Sequence, residues 1–152
     1  KGESRMGQKT TTLYDTDFNL WIEQTVRHLK QGDLQSLDLE NLIEEIESMG
    51  RSDKREVKNR LIVLMVHLLK WRYQSEKRSN SWTATINEQR RQLDLITGDS
   101  PSLKPFLVDN FSSCYQIARR DAARETFLSL SVFPLDCPFS VTEILDAEFF
   151  PN

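Results

Sequence analysis

Residues 61–69 are Leu61, Ile62, Val63, Leu64, Met65, Val66, His67, Leu68 and Leu69, eight apolar side chains interrupted by one histidine. The run sits in a stretch, 53–78, that holds neither proline nor glycine. Asp53 and Glu56 stand at its start with the spacing of a capping box, Asp replacing the more usual Ser or Thr. The spacing predicts a helix of about 25 residues, nearly 40 Å long at 1.5 Å per residue. Apolar side chains cover most of its circumference in the middle, as in a helix surrounded by others. A chain with such an element must build other helices around it.

Five further segments meet that demand. A first helix begins near Asp15 or Asp17 and carries Phe18, Trp21, Ile22, Val26 and Leu29 on one face, stopping at Gln31 and Gly32. Asp38 caps a second, with Leu39, Leu42, Ile43, Ile46 and Met49 on one side and a stop expected at Gly50. The 53–78 helix is the third. Ser79 or Ser81 caps a fourth over 82–96, with Trp82, Ile86, Leu93 and Ile96 on its stripe and Gly98 as its end. Pro105 fits the first turn of a fifth segment capped by Ser102, which carries Leu107, Phe111, Tyr115, Ala118 and Ala122 toward Leu128. Ser140 and Glu143 form a second capping box for a short last helix through about Ala147. No strand-like alternation or internal repeat occurs, so the expected fold is all-α: a single-domain bundle of about five helices plus a short C-terminal one, with a long central third helix.

Polar residues of the central helix are ordered rather than scattered. At 100° per residue, Glu56, Arg60, His67, Gln74 and Arg78 fall in a strip roughly 40° wide between Val63 on one side and Leu64 with Trp71 on the other. A strip so bounded is expected to be partly buried, and its members then need hydrogen-bond partners. The second helix offers carboxylates: Glu40 and Glu47 border its apolar stripe beside Ile43, Glu45 borders it near Met49, and Glu44 points away. The simplest expectation is a structural network of Arg60 and His67 with Glu45 or Glu47. Gln89 lies on the apolar stripe of the fourth helix, with Arg90 close in angle, which extends the polar strip across to that helix. Arg119, Arg120 and Arg124 are expected in solvent.

Length and composition set outer bounds. A chain of 152 residues is within the size of one domain; residues 13–152 are read as that domain and 1–12 as a tag remnant, 1–5, with a flexible N-terminus. No apolar stretch approaches the roughly 20 residues needed to cross a bilayer, so no membrane is expected. Cys114 and Cys137 stand alone, which argues against a zinc site or a disulfide framework and for free thiols in a reducing cytoplasm. The net charge of −3 hides two opposed blocks. Residues 15–50 hold nine acids against Arg27 and Lys30, a balance of −7; residues 51–91 hold eleven bases against four acids, a balance of +7. Adjacent opposite blocks most simply pair within the fold. A phosphate-binding face through Lys54, Arg55, Lys58, Arg72, Lys77, Arg78 and Arg91 is the alternative, although the acidic whole repels nucleic acid at long range.

Several motifs in register resemble one family. Leu13 to Phe18 with Trp21, the block from Asn41 to Gly50, His67 to Trp71, Arg78 to Trp82 leading to Gln89 and Arg90, and Cys137 with Pro138 are similar to the bacterial domain of unknown function 29, abundant in cyanobacteria. The resemblance covers nearly the whole chain from Leu13 on. It implies a small all-helical fold and brings no activity with it. The positions its motifs pick out, Glu44, Glu45, His67, Lys70, Trp71, Arg78, Ser81, Trp82, Gln89 and Arg90, overlap the polar network, whose other candidates are Gln74 of the strip and Glu47 of the second helix.

Known catalytic spacings are mostly missing. A di-metal carboxylate bundle needs Glu-x-x-His on two helices, and neither His28 nor His67 has a glutamate three residues before it. No Gly-rich phosphate loop, G-x-S-x-G or H-E-x-x-H occurs, and no metal or cofactor is expected. Arg60 and His67 are similar to the Arg-x(4 to 6)-His pattern of HEPN ribonucleases, which implies a metal-independent RNA cleavage with His67 moving the proton and Arg60 holding the phosphate. Leu61 departs from that pattern, where a polar residue usually follows the arginine. A protein-binding or accessory module is the reading placed first, with an exposed apolar patch, Phe149 and Phe150 being its candidates. The identity of the partner and the oligomeric state are not encoded in any motif.

Overall fold

The expected second and third helices are one. In the computed structural model, which describes residues 12–152, a single helix α3 runs Leu39–Tyr73 through Gly50 without a break. Glycine in a helix interior costs about 1 kcal/mol relative to alanine, a weak penalty that ends a helix only where the backbone also turns left-handed. Gly32 does so, with φ of 72°, and α2 ends just before it; Gly50 keeps helical angles. Asp53 is therefore an interior residue and caps nothing.

Seven α-helices and three short 3-10 segments make up the described residues, which contain no strand; the fold is all-α. They are α1 Leu13–Thr16, α2 Phe18–Lys30, α3, α4 Asn80–Asp99, α5 Leu103–Asp109, α6 Phe111–Thr126 and α7 Val141–Leu145. Caps follow the sequence closely: Asp17 accepts from the Leu20 amide, Ser79 from Trp82, and Ser140 with Glu143 forms the complete capping box. The expected fifth helix breaks at Asn110 into α5 and α6, and α6 ends where Phe127 adopts φ of 60°. α4 continues past Gly98 to Asp99. α3 ends at Tyr73, short of Arg78, which follows a 3-10 turn over Ser75–Lys77. Of residues 1–12 only Thr12 is described, as the cap of α1; the reading of 1–5 as a tag lies outside the described residues. No described helix is long and apolar enough to cross a membrane.

The chain divides into two compact units, Lys1–Gly50 and Arg51–Asn152. In the second, Val57, Leu61, Leu64, Met65, Leu68 and Leu69 of α3 are fully buried with Ile86 and Leu93 of α4, Leu107 of α5, Tyr115, Ala118 and Ala122 of α6 and Ile144 of α7. Each such large side chain contributes roughly 1.5–3 kcal/mol by leaving water. The Tyr115 hydroxyl donates to the Pro134 carbonyl at 2.6 Å, and Arg119 Nε donates to Phe133 O at 3.0 Å. Arg119 is thus not the solvated residue its position on α6 suggests; it ties down the segment after the helix.

The first unit holds α1, α2, a 3-10 turn over Leu34–Ser36 and the opening turns of α3. Tyr14, Phe18 and Trp21 form an aromatic cluster with centroids 4.9 to 5.7 Å apart. Asp38 caps α3, its carboxylate accepting from the amide and side chain of Asn41.

Candidate functional site

α3 runs on through Gly50, so Glu45 and Glu47 belong to the same helix as Arg60 and His67 and not to a neighbouring one, as the two-helix reading expects. Glu45, Arg60 and His67 each find a different partner. The Tyr14 hydroxyl donates to the Glu45 carboxylate, and that bond raises the phenol to about 12. Arg60 Nε reaches back one turn to Glu56 at 2.8 Å, and its Nη1 donates to the side-chain oxygen of Gln89 at 3.1 Å. Gln89 does face the strip of α3 from α4. Glu44 and Glu47 lie on the exposed side of α3.

His67 is half-buried, its Nδ1 2.9 Å from the carbonyl oxygen of Val63 one turn earlier. Burial pushes its pKa below the usual histidine value, while the Val63 bond acts in the opposite direction. No bond joins it to Arg60, whose guanidinium turns toward the N-terminal end of α3. The hollow nearest Arg60, about 400 Å³, is lined by Ser52, Arg55, Glu56, Asn59 and Arg60, and His67 takes no part in it. The strip is therefore split: Arg60 pairs with α4, and His67 returns to its own backbone.

The other motif residues form a ladder of cations and rings. The Arg78 guanidinium lies 4.9 Å from the Trp71 ring centre, Trp71 lies 5.0 Å from Phe150, and Arg90 lies 5.5 Å from Phe150. Arg78 also donates to the carbonyls of Trp71 and Pro151. Arg90, buried and with its pKa lowered by burial, donates from Nε to Ile144 O at 2.7 Å and from Nη2 to Glu143 O, a cation against the carbonyl end of α7. Lys70 Nζ pairs with Glu125 Oε1 at 3.0 Å and sits 5.1 Å over the Trp82 ring. Gln74 is buried and Ser81 is exposed. Glu125 and Phe150 complete these contacts; only a contact partner across the fold identifies them, so spacing along the chain gave no signal.

Phe149 and Phe150 do not form an exposed patch, since both pack against the core of the second unit. Exposed apolar surface lies elsewhere. On α3, Leu39, Ile43, Ile46 and Met49 are 56%, 53%, 58% and 64% exposed. On α2, Phe18, Ile22, Val26 and Leu29 are exposed beside buried Trp21 and Thr25. In both helices the apolar arc is wider than the arc the unit buries. Sequence periodicity marks these residues as a packing face and leaves open what they pack against.

Of the basic residues considered for phosphate, Lys54 lies over Phe106, Arg72 over Tyr73, and Arg91 makes two bonds to Glu88. Among the described residues no cluster of three or more His, Cys, Asp or Glu could hold a metal ion. Cys114 and Cys137 are free thiols, and burial raises the Cys137 thiol to about 11, away from thiolate reactivity.

Fold and site together define an all-α protein in which Arg60, Arg78, Arg90 and Lys70 are bound to partners within the fold, and α2 and the first turns of α3 each carry a row of exposed apolar side chains. The chain belongs to the family described as domain of unknown function DUF29, whose model matches residues 13–150. No curated protein and no solved structure matches it.

Proposed function

We propose that the chain is a protein-binding module that engages its partner through the apolar stripes of α2 and of the first turns of α3. The observation that carries this reading is the exposure of Leu39, Ile43, Ile46 and Met49, all more than half open to solvent on one helix face. Phe18, Ile22, Val26 and Leu29 form a second exposed apolar row, on α2 of the same unit. Isolated exposed apolar residues are ordinary; helical rows of them mark interaction sites.

The contrasting state of the polar strip supports the same choice. A ribonuclease built on Arg60 and His67 needs both groups turned to one phosphate, whereas Arg60 is held by Glu56 and Gln89. The test compares wild type with an Ile43→Glu, Ile46→Glu variant as bait in extract of the source cell, with binding remeasured from purified components. Loss of a partner in a variant whose circular dichroism is unchanged supports the reading. Identical partners for both proteins would sink it.

A further inference from the structure

Building on that reading, we infer that the occupant of the Leu39–Met49 stripe is a cationic amphipathic helix of another protein, about three turns long. Leu39, Ile43, Ile46 and Met49 recur at the i, i+4, i+7, i+10 spacing that one helix presents to another, over about 15 Å of axis. This matches the length of three turns of a partner. A helix laid along the stripe covers its apolar row with its own.

Charge identifies the helix. Residues 15–50 carry −7. At 100° per residue Glu47 stands on one flank of the stripe, roughly 40° round from Ile43. At its N-terminal end Leu39 also lines a depression of about 700 Å³ whose wall includes Asp15, Asp38 and Glu40. An apolar strip with an acidic flank and an acidic hollow at one end suits a helix whose Leu or Ile row is bordered by Lys or Arg, and repels an acidic one.

A second copy of the chain fits less well. Stripe against stripe brings two acidic units together. The basic stretch of another copy offers charge without an apolar row: Arg51, Ser52, Asp53, Lys54, Arg55, Lys58 and Asn59 are its exposed side chains between 51 and 60. The partner combines what those two surfaces hold separately.

The probe is a labelled peptide of about 18 residues with Leu at helical i, i+3, i+4, i+7 spacing and Lys along both borders. Two controls accompany it, one with the same composition scrambled and one with Glu in place of Lys. Fluorescence anisotropy with the full chain is expected to show binding at least about tenfold tighter for the Lys helix than for either control, weakening as salt rises. Ile46→Glu is expected to weaken it about tenfold or more, Ile46→Leu to preserve it, and Glu47→Lys to weaken it several-fold while flattening the salt dependence. Ile46 lies outside the core, so circular dichroism of each variant should match wild type. Equal binding of the three peptides, or equal binding by Ile46→Glu, overturns the inference. So does a dimer in light scattering that Ile46→Glu dissolves, which would assign the stripe to a second copy. If the peptides fail while the bait experiment still loses its partner in the Ile43→Glu, Ile46→Glu variant, the partner chemistry is wrong and the binding module stands.

Discussion

Arg60 donates to the side-chain oxygen of Gln89 across 3.1 Å, joining the middle of α3 to the middle of α4. The bond replaces what would otherwise be an apolar contact on the α4 stripe. Gln89→Met keeps the volume and removes the acceptor, and is expected to lower stability by about 1 kcal/mol, since Arg60 keeps Glu56. Urea unfolding monitored by tryptophan fluorescence measures it; an unchanged midpoint means that the bond contributes nothing.

Gly50 is in the interior of α3, and a Cβ placed there meets nothing within 4 Å. Gly50→Ala is expected to stabilise the protein by about 0.5–1 kcal/mol, through helix propensity and a less flexible unfolded chain. The sign is diagnostic. Were Gly50 a left-handed helix stop, the same substitution would destabilise, and the urea midpoint would fall.

Phe127 holds φ of 60° and is 94% exposed, so it bears a left-handed backbone without the return of a buried ring. Phe127→Gly relieves that backbone and is expected to raise stability by about 1 kcal/mol. Thermal and urea unfolding both report it. A lower midpoint would show that the ring contributes contacts worth more than the strain.

His67 has its pKa pushed below the ordinary histidine value, chiefly by burial. The unfolded chain then binds a proton more readily than the folded one, so this residue's contribution is full above about pH 6.5 and is lost as pH falls through that value toward the folded pKa. Unfolding curves at about pH 7.5 and about pH 5.5 should show a larger loss for wild type than for His67→Gln. Equal losses would mean that His67 is not the group responsible.

Two tyrosines, Tyr14 and Tyr115, have phenols raised to about 12, the first mainly by its bond to Glu45 and the second mainly by burial. Each favours the folded state while protonated, an advantage full below the ordinary phenol pKa near 10 and lost as pH climbs through about 12. Titration of tyrosinate absorbance should show two late transitions, Tyr14→Phe and Tyr115→Phe removing one each. Glu45→Gln should bring the Tyr14 transition earlier and leave Tyr115 in place.

The helices were legible in the chain because the caps and apolar spacing at Asp17, Asp38, Ser79 and Ser140 agree with each other. Errors came where one residue type has two outcomes. Gly32 and Gly50 look alike in sequence, and only backbone angles decided by the surroundings separate a stop from a continuation. A stop at Gly50 would put Glu45 and Glu47 on a helix of their own, free to pair with Arg60 and His67; a continuous α3 has no such helix. Gln89 was readable because an amide stood where a stripe required an apolar residue. Glu125 against Lys70 was not, because they stand 55 positions apart and neither is unusual in its own helix.

The grip of Arg90 on the last carbonyls of α7 sets how that helix comes loose. Two bonds from one buried guanidinium, its contact with Phe150 and the burial of Ile144 in the core hold a five-residue helix too short to persist alone. Amide hydrogens of 141–145 should therefore exchange with solvent as a group, through an opening that lifts the segment off Arg90 while the α3 core stays closed. Arg90→Met should speed that exchange, since the buried Ile144 would then hold the helix alone.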